Sequence, residues 1–125
     1  MKANPVGWFE IYVQDLQRAR KFYETVFETE LKPLRSPYPG IELLAFDMTE
    51  SSYGCAGALV ERAGAPSGGS GTLVYFSCQD CAVVEKRAAE AGGKIERAKM
   101  SIGEYGFIAL VRDPDGNMIG LHSMQ

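Results

Sequence analysis

Residues 9–15 read FEIYVQD and residues 74–80 read VYFSCQD, two apolar stretches that end in the same Gln-Asp pair. Gln14-Asp15 and Gln79-Asp80 stand at the same point of two similar patterns. Each stretch is rich in the aromatic and β-branched side chains that favour strands. Each Asp stands where its carboxylate can cap a following helix. After Asp15, the residues Leu16, Ala19, Phe22, Tyr23, Val26 and Phe27 recur at helical spacing, opposite a polar face of Gln17, Arg18, Lys21 and Glu24. After Asp80, the residues Cys81, Val84, Ala88 and Ala91 mark the buried side of a second helix, which Gly92 and Gly93 stop.

Working outward, a strand is expected over about Val6–Val13. Three more follow the first helix: within residues 30–35, in IELLAFDM, and in GCAGALVE, parted by turn-forming SPYPG and TESSYG. Residues 62–71, RAGAPSGGSG, have linker composition. Beyond them come the strand TLVYFS, the second helix, the strands KIERAK and GFIALVRD, a turn at DPDGN and a last strand, MIGLHS. Strand, helix and three strands thus occur twice, which makes the duplicated positions spatially equivalent. The expectation is an α+β protein of two βαβββ modules, module one about 5–61 and module two about 72–123, in one domain spanning residues 1–125.

Length and composition fit that reading. A chain of 125 residues closes one core. The net charge of −3, with both signs interleaved, leaves no basic stripe for nucleic acid. No apolar run approaches the roughly 20 residues that span a bilayer, so no membrane partner is expected. The opening MKANPVGWFE lacks the apolar segment of a secretory signal, so a cytoplasmic location is expected. Three cysteines there read as reduced thiols.

Some motifs are better explained by structure than by chemistry. GAPSGGSG lacks the Lys-Ser or Lys-Thr of a phosphate loop. Asp113 and Asp115 within DPDGN are turn formers. Cys78-Gln-Asp-Cys81 has CxxC spacing, but alternation tucks Cys78 under the second helix. Glu10 is different: it lies between Phe9 and Ile11 in an apolar strand, where an unpartnered carboxylate is costly. His122, the sole histidine, lies on the last strand.

The segments FEIYVQDLQRARKFYETVF, VYFSCQDCAVVEKRAAEAGGKI and DPDGNMIGLH resemble the vicinal oxygen chelate superfamily, which includes glyoxalase I, bleomycin resistance proteins and extradiol dioxygenases. The resemblance implies an open, cup-like mixed sheet with helices outside, a ligand or metal inside, and pairing into a homodimer. The metal-ligand positions of the family fall on Trp8, Leu73 and Gly120, and the last strand of module one offers only Glu61 at its end. No cofactor is expected, because these positions do not support a divalent metal. Two steps along the strands, Glu10 and His122 face the same way as Trp8 and Gly120, and the repeat adds Tyr75. The candidate catalytic residues are therefore Glu10 and His122, as a hydrogen-bonded acid/base pair, with Tyr75 as a donor. Trp8, Tyr12 and Phe107 are the candidate ligand-binding residues.

The function expected on this basis is that of a glyoxalase-like protein binding a small organic molecule, with metal-independent acid/base catalysis. The alternatives are a non-catalytic drug- or metabolite-binding protein of the bleomycin resistance kind, and a metal-dependent lyase or dioxygenase with displaced ligands.

Overall fold

Asp15 and Asp80 both cap helices. Asp15 Oδ1 accepts the Arg18 N–H at 3.1 Å at the start of α1 (Leu16–Phe27), and Asp80 Oδ1 accepts the Ala82 N–H at 2.9 Å at the start of α2 (Cys81–Glu90). The computed structural model describes residues 4–125. In it β1 (Val6–Tyr12) precedes α1, which leads to β2 (Lys32–Leu34), β3 (Ile41–Ala45) and β4 (Gly57–Arg62). Then β5 (Thr72–Ser77) precedes α2, followed by β6 (Lys94–Ser101), β7 (Phe107–Arg112) and β8 (Met118–Ser123). The protein is α+β, with two helices and a mixed, open sheet built from two βαβββ series, as the repeat predicts. The backbone groups into two units, Phe9–Thr72 and a second formed by Leu73–Gln125 with the chain up to Trp8.

In the unit Phe9–Thr72 the strand order is β2-β3-β4-β1, with β1 parallel to β4 and the other pairs antiparallel. Leu16, Leu31, Leu44 and Leu59 form the core, and Ile11, Val13, Ala19, Tyr23 and Phe46 pack against it. Fully burying each leucine contributes about 1.5–3 kcal/mol. The expected apolar face of α1 is only partly used. The helix rests on β3 and β4, and the stripe of Leu16, Ala19 and Tyr23 meets them. Phe22, Val26 and Phe27 stay more than half exposed. Phe22 lies edge-on to Tyr23 and Phe27 stacks on it, so the two outer rings pack laterally instead of entering the core.

In the second unit the order is β5-β8-β7-β6, with β5 parallel to β8 and the rest antiparallel. Cys81, Ala109, Val111 and Leu121 form its core, packed by Phe76, Cys78, Val84, Ala88, Phe107 and Ile119. Ser123 is buried and its Oγ accepts the Cys81 N–H at 3.1 Å, satisfying an amide that the first turn of α2 leaves without a helical partner. Glu85, which the sequence does not mark as buried, accepts the Lys99 N–H at 2.8 Å. The DPDGN turn forms as predicted: Asp113 Oδ1 accepts the N–H groups of Asp115 and Asn117, both at 2.9 Å, and Gly116 takes φ +87°. No helix is long and apolar enough to cross a membrane among the described residues.

Candidate functional site

The register of β1 on β4 decides which side chains share a face. Glu10 lies beside Ala58 and Tyr12 beside Val60. Their neighbours Ile11 and Leu59 point into the α1 core, so strand alternation turns Glu10, Tyr12, Ala58, Val60 and Arg62 to the opposite face. Glu61 goes with Leu59: its Oε1 accepts the Leu16 N–H at 2.7 Å. The one acidic side chain at the end of this strand is therefore occupied in holding the start of α1.

On the face away from α1, the Tyr12 hydroxyl donates to Glu10 Oε1 at 2.7 Å. The Arg62 guanidinium lies 6.0 Å from the centroid of the Tyr12 ring, within reach of a cation–π interaction. Burial raises the Tyr12 pKa above the ordinary phenol value of 10.0; the Glu10 charge and the hydrogen bond to it raise it further, while Arg62 pulls the other way. Tyr12 thus stays protonated as a donor, and Glu10 is the acceptor. The arrangement holds the carboxylate in a fixed orientation, as a group that is to accept a proton requires.

In the second unit the same rule turns Tyr75, Gly120 and His122 away from α2, because Phe76, Ile119 and Leu121 pack towards it. Tyr75 sits beside Gly120 in the parallel register and is buried. A Cβ at position 120 would fall inside the Tyr75 ring, which accounts for the glycine. His122 lies between Ser77 and Ile108. Its Nε2 is 2.7 Å from the Tyr105 carbonyl oxygen. A carbonyl only accepts, so this nitrogen carries the proton, and in the neutral ring Nδ1 presents a lone pair.

Within its own unit the Tyr12 hydroxyl orients Glu10, and within the other the Tyr105 carbonyl orients His122. Phe107 lies on the other face of its sheet from the one expected. It packs with the α2 core, with Lys99 Nζ 4.6 Å from its ring centroid, on the face opposite His122, whose neighbour on β7 is Ile108. Phe107 does not share a face with Tyr75 and His122, the candidate residues of its unit. Tyr12 shares a face with Glu10 by alternation along β1.

A divalent metal does not fit the donor set. The positions of the family's ligands hold Trp8, Leu73 and Gly120, the space above Gly120 is filled by the Tyr75 ring, and Glu61 is engaged at α1. Among the described residues no three His, Cys, Asp or Glu side chains cluster as a metal site would require. The CxxC thiols are core residues: Cys81 is fully buried, and burial, followed by the neighbouring Cys81, pushes the Cys78 thiol up to about 11.

Arg62 is the residue that sequence reasoning missed. It stands first in the linker-like stretch, so its place as the last residue of β4 shows only once β4 is paired with β3 and β1. Alternation outward from Val60 is the signal that finds it.

The description Glyoxalase/Bleomycin resistance protein/Dioxygenase superfamily matches residues 6–121. No curated protein matches the chain. Solved structures of similar fold include an uncharacterised protein from Methanosarcina mazei, at 22% identity and TM-score 0.65, covering 100% of this chain and 95% of that one. A variant methylmalonyl-CoA epimerase from Streptomyces coelicolor, in complex with 2-nitronate-propionyl-CoA, is similar at 16% identity and TM-score 0.71, covering 96% of this chain and 94% of that one. The methylmalonyl-CoA epimerase of Mycobacterium tuberculosis is similar at 16% identity and TM-score 0.69, covering 100% and 93%. These identities speak for the fold alone. The match over residues 6–121 goes further, and with the twice-repeated βαβββ order it places this chain in the Glyoxalase/Bleomycin resistance protein/Dioxygenase superfamily.

Proposed function

We propose that this protein binds a small organic molecule on the sheet face that carries Glu10 and Tyr12, and moves a proton on it with Glu10 as the base. The observation that supports this reading most is the 2.7 Å hydrogen bond from Tyr12 to Glu10 on the face turned away from α1. It leaves a half-buried carboxylate oriented on one oxygen, in surroundings where Ala58 and Val60 exclude water. Tyr75 and His122 occupy the corresponding face of the second unit, where the His122 Nδ1 lone pair is a further proton acceptor. The chemistry is metal-independent, since the donor set does not suit a divalent ion. Fold neighbours that are methylmalonyl-CoA epimerases make a carbon acid a reasonable first substrate to try. The proposal includes assembly as a homodimer, which light scattering at two protein concentrations checks.

The test is solvent exchange. In D2O, methylmalonyl-CoA and propionyl-CoA are incubated with protein and followed by proton NMR for deuterium at the carbon next to the thioester. Catalysed exchange that falls at least about a hundredfold in Glu10→Gln supports proton transfer. Exchange equal in Glu10→Gln and wild type removes Glu10 from the chemistry.

A second reading, binding without turnover, draws on the apolar character of Ala58 and Val60 beside Glu10. It predicts ligands that raise the melting temperature equally in wild type and Glu10→Gln, with no exchange.

A further inference from the structure

Arg62 is the one cationic side chain that alternation sets on the face of Glu10 and Tyr12 along β1 and β4. Its guanidinium makes no ion pair and no side-chain hydrogen bond with any described residue; its contact is with the Tyr12 ring, 6.0 Å away. This is unlike Arg20 and Arg112, each of which is held by a carboxylate at 3.0 Å or less. An arginine resting on an aromatic ring keeps its five donors in a planar fork, which matches the two oxygens of a carboxylate.

Building on the proposed function, we infer that Arg62 is an anion-reading residue, and that the ligand of this face carries a carboxylate attached to an uncharged body. The placement sets the ligand's polarity. Glu10 is negative and has one oxygen held by the Tyr12 hydroxyl, so a second anion directly against it is repelled. The carboxylate therefore docks at Arg62, on the far side of the Tyr12 ring, and the uncharged body lies over Tyr12 and Glu10. The same geometry brings an acidic hydrogen on that body towards Glu10 while its charged end is tethered. A neutral analogue of the same shape retains the stacking on Tyr12 and loses the charge-assisted pair, which is about a tenfold loss in affinity.

The experiment uses 15N-labelled full-length protein and matched probes: benzoate against benzamide, and phenylacetate against phenylacetamide. Amide shifts of residues 10–12 and 58–62 and the Arg62 side-chain Nε–H are followed in each titration. The expected result is saturable shifts at these residues, the acids binding about tenfold more tightly than the amides. Arg62→Gln is expected to bring the acids down to the affinity of the amides without changing the amides, and Arg62→Lys to restore part of the preference. Equal affinity of acid and amide for the wild type, or a preference that survives in Arg62→Gln, overturns the inference about Arg62 and leaves the proposed function standing. No saturable shift from either class of probe at these residues overturns both.

Discussion

The Tyr12 hydroxyl reaches back two residues along its own strand to donate to Glu10, and this contact adds to burial in holding the phenol proton. The Tyr12 pKa is raised by burial and by Glu10 above the ordinary 10.0. The native state therefore keeps a proton that the unfolded chain gives up above pH 10. The stability linked to this proton is complete below pH 10 and is lost as pH rises beyond it. Urea midpoints measured at pH 8 and pH 10.5 should fall more steeply for the wild type than for Tyr12→Phe; equal slopes would show that Tyr12 does not hold the proton.

Gly120 should tolerate no side chain. The Tyr75 ring fills the space into which a Cβ would project, and overpacking of this kind costs about 1–3 kcal/mol. Gly120→Ala is expected to lose that much in chemical denaturation, and Tyr75→Ala combined with it should return part of the loss. Strict additivity of the two changes would contradict the packing described.

Glu61 acts as a second cap on α1. Its carboxylate accepts the Leu16 N–H while Asp15 accepts the Arg18 N–H. Glu61→Ala and Asp15→Ala are each expected to lower stability by about 1 kcal/mol. A Glu61→Ala protein as stable as the wild type would mean that water serves the Leu16 amide equally well.

The three thiols should separate by rate. Cys55 is exposed, Cys81 is fully buried, and the Cys78 thiol is pushed up to about 11, first by burial and then by Cys81. At pH 8 only about one Cys78 in a thousand is thiolate. Ellman's reagent should modify one thiol quickly, Cys55 by mass spectrometry, and the other two only in denaturant. Rapid loss of two thiols in native buffer would mean that the segment joining β5 to α2 opens readily.

The Gln-Asp repeat carried most of the fold, because capping and alternation are local rules that a sequence displays directly. Both helices and the DPDGN turn follow from them. Partnership between distant strands is not local, and the departures arise there. His122 takes its partner from Tyr105, on a 3-10 turn that composition does not announce. Phe107 is aromatic and sits near His122 in the sheet, but the register of β7 on β8 gives that neighbouring place to Ile108. Arg62 looked like linker because Gly and Pro follow it closely, and only pairing with Ile41 makes it strand. The exposed Phe22 and Phe27 show the reverse limit: helical spacing identifies an apolar stripe, but the width of the sheet beneath decides how much of it is covered.

Phe9 faces Gly57 across β1 and β4, and Tyr75 faces Gly120 across β5 and β8. Both glycines leave a vacancy that the neighbouring ring fills. In the first copy that ring points to the helix side and thickens the interior; in the second it points to the other side and brings a phenol to the face of the imidazole. The halves of this protein are therefore not interchangeable parts, and a chimera made from two first halves would keep the architecture while losing both the buried phenol and the histidine.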